Sequence, residues 1–279
     1  MIKGLTRAGL GQPPPLPAFV SLASRYGFGA VDAVGSELEE WIDAAGSEVV
    51  LQELQNQGVI IGAIGLSPEW RQTEDVFRAG LSRLAKDAEA AAKLGVTSCC
   101  TYVLPSTDYP AARFMAVATR RMRTCAEILG AYGIRLGLEF VGPHHLRTRW
   151  KHPFIWTAGE TLEWIDAIGC SNVGLLYDAY HWYTTGGTLE DIRKLRADQI
   201  VHVHINDAKD VPLPEVLDND RVYPGEGVID LAAFLQGLQE IGYTGVVAQE
   251  VLTAQPSAEP VEELLVRSRE GFGKVWGRS

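Results

Sequence analysis

Eight times along this chain a short apolar run is followed by a longer segment with helical spacing. Strand-like runs occupy residues 2–10, 30–34, 59–66, 97–103, 136–141, 173–178, 201–207 and 245–250. The segments between and after them, at 16–26, 37–57, 73–94, 111–132, 158–168, 189–195, 230–241 and 260–276, carry apolar residues every three or four positions. That spacing gives each one apolar face. Val59 to Leu66 is apolar throughout, as a strand covered on both sides must be. Regular alternation of this kind calls for parallel strands joined by helical crossovers. Eight units in 279 residues suit a closed (β/α)8 barrel, an α/β fold read here as one domain spanning 1–279. No Gly/Ser linker or charge block divides it. An open doubly wound sheet is the alternative, weakened because no GxGxxG follows the first strand.

Composition narrows the partners. Apolar residues make up 46% of the chain, enough for a large core. Lys and Arg total 25 against 35 Asp and Glu, a formal charge of −10. This balance disfavours nucleic acid and anionic membranes. No apolar run reaches the roughly 18 residues of a membrane span. Met1-Ile2-Lys3-Gly4-Leu5 lacks the apolar core of a signal peptide, so a cytoplasmic protein is the expectation. Cys99, Cys100, Cys125 and Cys170 have no CxxC spacing and read as small buried hydrophobes.

The chemistry gathers in the second half. Val201-His202-Val203-His204-Ile205 alternates, sending two imidazoles to one face and branched aliphatics to the other. Three other runs carry an acid at or near their end: Glu139, Asp178 and Glu250. Reacting groups of such barrels sit at the C-terminal ends of the strands, where Glu139, Asp178, His204 and Glu250 all fall. Three converging carboxylates repel one another, and a cation relieves that repulsion. Three carboxylates and an imidazole form a hard, oxygen-rich set. It suits Mn²⁺ or Mg²⁺ first and also accommodates Zn²⁺, Co²⁺ or Fe²⁺. All six histidines lie between 144 and 204. His181, three residues past Asp178, is placed near the metal but facing substrate. His202, two residues deeper than His204, reads as structural or supporting. Trp182 is either core or pocket wall.

These residues resemble the xylose isomerase-like TIM barrels, the superfamily of sugar isomerases and epimerases that also holds inosose dehydratases. The carrying segments are Gly137-Leu138-Glu139-Phe140, Leu176-Tyr177-Asp178-Ala179-Tyr180-His181-Trp182, His202-Val203-His204-Ile205-Asn206-Asp207, Tyr223-Pro224-Gly225-Glu226-Gly227-Val228-Ile229-Asp230 and Gln249-Glu250-Val251. The resemblance implies one divalent metal on Glu139, Asp178, His204 and Glu250, with Glu139 and Glu250 also moving protons through an enediolate. It implies a small sugar, keto-sugar or polyol as substrate, contacted by His181. Trp182, His145, Lys209 and Glu226 are the further candidates for that contact. Isomerisation, epimerisation and dehydration of an inosose-like compound all fit, and a homo-oligomer is compatible. The epimerase branch has an Arg six residues beyond the ligand His. Here that position is Asp210, and Lys209 or Arg221 is the available substitute. Apurinic-site endonucleases of the superfamily need further histidines on strands two and three, and this chain has none before His144. A non-catalytic sugar-binding barrel is the remaining alternative of another class.

Overall fold

The computed structural model describes Met1–Trp276. Eight parallel strands close into a barrel: β1 (Ile2–Leu5), β2 (Ala30–Ala33), β3 (Ile60–Gly65), β4 (Ser98–Val103), β5 (Arg135–Phe140), β6 (Val173–Asp178), β7 (Ile200–Ile205) and β8 (Val246–Gln249). Each pairs with its sequence neighbours, and β1 closes the ring on β8 in the register Ile2↔Val246 to Leu5↔Gln249. All eight expected runs therefore become barrel strands.

The helices follow the predicted rhythm with local differences. Thr157 caps the helix Ala158–Ile168 through the reciprocal bonds with Glu160 that its sequence spacing implies. The single helix expected over 37–57 is two, Gly35–Ala45 and Ser47–Gln57. Gly46 between them has φ 86°, a left-handed conformation that breaks the hydrogen-bond ladder. A short helix unforeseen in the sequence, Ala179–Thr184, starts directly from the end of β6. The long loops after β5 and β7 are each tied down by a two-residue antiparallel pair. Ser106–Thr107 joins His152–Pro153, and Asp207–Ala208 joins Arg221–Val222.

The main apolar core lies between the strands and the helices, with Phe19, Phe140, Tyr177, Phe234 and Phe272 buried there. Inside the ring the apolar filling is small: Ala30, Val246 and Ala248 form a separate cluster. A narrow interior with small side chains leaves room at the C-terminal mouth for polar groups. Among the described residues no helix is long and apolar enough to cross a membrane. Cys99 and Cys125 are buried as expected, Cys100 and Cys170 are only partly buried, and all four cysteines are free.

Candidate metal centre

Four neighbouring strands supply the site. Glu139 is the penultimate residue of β5, Asp178 ends β6, His204 is penultimate in β7, and Glu250 follows the last residue of β8. Register aligns them: Asp178 pairs with His204 across β6 and β7, and His204 with Ala248 across β7 and β8. One ligand atom from each of the four lies within 4.8 Å of every other. All four expected ligands are thus brought together.

Their spacing fits a cation better than hydrogen bonding. His204 Nδ1 stands 3.6 Å from Glu139 Oε1 and 3.5 Å from Glu250 Oε2. Those gaps exceed good hydrogen bonds. Two donors each ~2.1 Å from one tetrahedral ion would lie ~3.4 Å apart. His204 Nδ1 and Glu139 Oε1 are moreover buried with no hydrogen-bond partner. Orphaned buried groups of this kind are rare unless an ion or ligand completes them. The residues present therefore fit one divalent metal.

The electrostatics show what holds the cluster together. Arg221, with a side chain 1% exposed, bonds Asp178 Oδ2 at 2.9 Å, Glu250 Oε2 at 3.0 Å and Asp218 Oδ1 at 2.8 Å. Burial works against ionisation of Asp178, but Arg221, His181 and His204 outweigh it and hold the carboxyl down at about 2. Asn206 also donates to both Asp178 oxygens, and the Tyr180 N–H to one, so Asp178 caps the helix Ala179–Thr184 as well. Burial also opposes ionisation of Glu250, yet His204 and Arg221 keep it below the usual glutamate range. Glu139 has no guanidinium. Burial, with help from Glu250 and Asp178, pushes it up to about 8.

His181 is buried beside this cluster. Its Nδ1 accepts the Gly142 N–H at 3.2 Å, which puts the proton of the neutral ring on Nε2. Burial lowers its pKa and favours that neutral form. Nε2 lies 3.4 Å from Arg221 Nη2, a longer contact than the one Gly142 makes with Nδ1, and faces Glu139 at 3.9 Å and Asp218 at 4.0 Å, so an N–H is offered toward those carboxylates. A cavity of about 200 Å³ opens over the cluster, lined by Thr6, Asp32, Cys100, Tyr102, Glu139 and Glu250 among others.

The other expected substrate contacts fare differently. His145 is half-buried in the short helix after β5, with Nδ1 unpartnered. Trp182 is core: it packs on Phe234 and donates to the Thr188 carbonyl. Glu226 forms a two-pronged pair with Arg267 on the outer helix, at 2.7 and 2.6 Å, and Lys209 pairs with Asp220 at 2.5 Å. The structure does not bring these three to the cluster. Their charges are met elsewhere, or, for Trp182, the ring serves packing. Arg147 is held by the carbonyls of Gly142 and Thr184 and stacks on Trp156, so it braces its own loop.

Asp207 explains why Tyr223-Pro224-Gly225-Glu226-Gly227 reads as a motif. Its two oxygens accept the backbone N–H groups of Ala208, Gly225, Gly227 and Ile229. This clamp folds the loop that carries Arg221 into the site. A Cβ on Gly227 would lie 2.1 Å from the Ala208 carbonyl oxygen, so only glycine fits there. Asp207→Ala is expected to lower stability by about 3 kcal/mol or more, since each orphaned buried donor costs on the order of 1–3 kcal/mol. Urea unfolding measures this, and a loss under ~0.5 kcal/mol, the range of a neutral surface change, would show the loop is held otherwise.

Sequence reasoning missed Asp32 and Asp218 and left Arg221 as one option among two. Asp218 stands three residues before Arg221, a spacing that offered the only local signal.

Comparison with known proteins bears on the fold and the family. Inosose isomerase of Bacillus velezensis is 33% identical over 147 residues, 52% of this chain and 49% of that protein. The chain spans about half the length of the curated relatives it matches. A xylose isomerase domain protein from Alicyclobacillus acidocaldarius superposes with a TM-score of 0.89 at 36% identity, covering 99% of this chain and 98% of that one. The IOLI protein, solved with a binding zinc atom, shares the fold at TM-score 0.81 and 21% identity, covering 99% and 98%. Residues 20–270 match the xylose isomerase-like TIM barrel family, and the chain belongs to that family.

Proposed function

We propose that this protein is a divalent-metal-dependent isomerase or epimerase of a keto-sugar or cyclic keto-polyol. The observation that carries the reading is the pair Glu139 and Glu250, whose carboxylates lie 3.6 and 3.5 Å from His204 Nδ1 and line one cavity. Similarity to enzymes named inosose isomerase supports the substrate class. Glu139, Asp178, His204 and Glu250 would hold the ion, Mn²⁺ or Mg²⁺ by the hardness of the set. When bound, the ion supplies Lewis acidity toward a substrate carbonyl oxygen.

The chain's own residues do the rest. Glu139 and Glu250 come from strands three places apart in the ring and reach the same small cavity. One carboxylate takes a proton from the carbon beside the carbonyl, and the other returns one. Return to the neighbouring carbon, with the hydroxyl proton passing to the former carbonyl oxygen, isomerises, whereas return to the opposite face of the same carbon epimerises. In this reading the His181 Nε2–H donates to a substrate hydroxyl. Arg221 offsets the surplus negative charge of Asp178, Asp218 and Glu250 while substrate is absent.

The test is metal analysis of the purified protein, followed by incubation with ketoses and keto-inositols in D₂O. Deuterium uptake at carbon with an unchanged heavy-atom formula is the expected result. A product lighter by one water would mark a dehydratase instead. A ligand that binds but never takes up deuterium would remove the proton-transfer proposal.

A further inference from the structure

Asp32 is the penultimate residue of β2, three strands round the ring from β7, yet it reaches His204. Its Oδ2 lies 2.8 Å from His202 Nε2 and 3.3 Å from His204 Nε2. The two imidazole rings meet edge to face, with centroids 5.3 Å apart. Gly62 on the adjacent strand makes room, because a Cβ there would stand 2.7 Å from Asp32 Oδ1. None of these three residues is supplied by the four-ligand set except His204 itself.

The hydrogen-bond chemistry allows one arrangement. An ionised carboxylate oxygen only accepts, so both ring nitrogens facing Oδ2 carry protons. With its proton on Nε2, His204 keeps the Nδ1 lone pair free, and Nδ1 is the atom turned toward Glu139 and Glu250. Without an acceptor at Nε2, the nearby carboxylates would draw the proton onto Nδ1 and block the ligand atom. A carboxylate behind a ligating imidazole is a recurrent means of fixing tautomer and ring orientation.

We infer that Asp32 is a positioning residue for the metal ligand His204, and that His202 is the second donor that fixes the Asp32 carboxylate. The inference rests on the four-residue metal site and gives Asp32 and His202 no contact with substrate. It also accounts for two histidines on one face of β7: the deeper one braces the carboxylate that orients the outer one.

The experiment uses the intact chain and Zn²⁺ alone, with affinity read by competition against a chromogenic chelator. Asp32→Ala is expected to weaken Zn²⁺ binding by about 10–100-fold. Asp32→Asn preserves shape and one acceptor oxygen, so its loss should be smaller. In Zn²⁺-loaded protein labelled with ¹⁵N-histidine, the His204 Nε2–H signal should be protected from exchange, and in Asp32→Ala it should be lost. A merely structural Asp32 would leave that proton in place. Zn²⁺ affinity within twofold of wild type in a folded Asp32→Ala variant would overturn the inference, as would a His204 protonated on Nδ1 in Zn²⁺-loaded wild type. Should Asp32→Ala fail to fold, Asp32→Asn and the wild-type proton signal decide the matter. Failure of wild type to bind Zn²⁺, Mn²⁺ or Mg²⁺ would strike at the metal site itself, a different result from unchanged binding in the variant.

Discussion

Glu139→Gln and Glu250→Gln are each expected to lower kcat by about 10²–10⁴-fold at saturating metal, the range for removing a general acid or base. A carboxamide keeps the size and a ligand oxygen but cannot carry the proton. In the proposed mechanism the two glutamates act in sequence, so the variants should fail at different steps. The one that keeps the abstracting carboxylate should still exchange substrate hydrogen with D₂O while forming no product. The other should do neither. Substrate affinity, measured by calorimetry, should change far less than turnover. A simple sugar-binding barrel predicts the opposite pattern, with no turnover to lose and no deuterium exchange in any variant. Equal activity in wild type and both variants would eliminate the paired-glutamate mechanism.

The second large effect concerns Arg221. Its guanidinium is 1% exposed and contacts Asp178, which is fully buried, together with Glu250 and Asp218. Removing one partner of a buried pair leaves charge uncompensated, at a cost of about 3–5 kcal/mol. Arg221→Met, similar in length and uncharged, is therefore expected to destabilise the metal-free protein by that amount. Urea unfolding in EDTA reads it. Saturating divalent metal should recover part of the loss, because an ion on the same carboxylates replaces the missing charge and binds only the folded state. Wild type should gain less from metal than the variant does. A change below ~1 kcal/mol in EDTA, typical of an exposed ion pair, would show that Arg221 does not neutralise this cluster.

The ring closure also separates roles that sequence spacing left together. Glu226 lies within a motif segment and Lys209 two residues past another, yet each is satisfied by a salt-bridge partner, Arg267 or Asp220. Arg267 is 41 residues from Glu226, and nothing local announces their pairing. Asp207, by contrast, reads as an ordinary polar residue after a strand and becomes the clamp for a whole loop. The difference is that backbone N–H groups of Gly225 and Gly227 have no signature in the side-chain pattern.

What the amino-acid sequence determined by itself was the barrel and the four candidate ligands at its mouth. Period-two and helical spacing are set by neighbours a few residues apart, so eight strands and most helices were legible. Glu139, Asp178, His204 and Glu250 stood out because an acid or imidazole at the end of an apolar strand is costly without a purpose. Only the tertiary structure decided what stands behind them. Asp32 is 170 residues from His202 and sits in Ala30-Val31-Asp32-Ala33, where it looks like the polar position of any short strand. Its meeting with two histidines depends on closure of the ring, and the approach of Arg221 depends on the fold of a loop. Both are long-range contacts, fixed by packing rather than by the residues beside them in the chain.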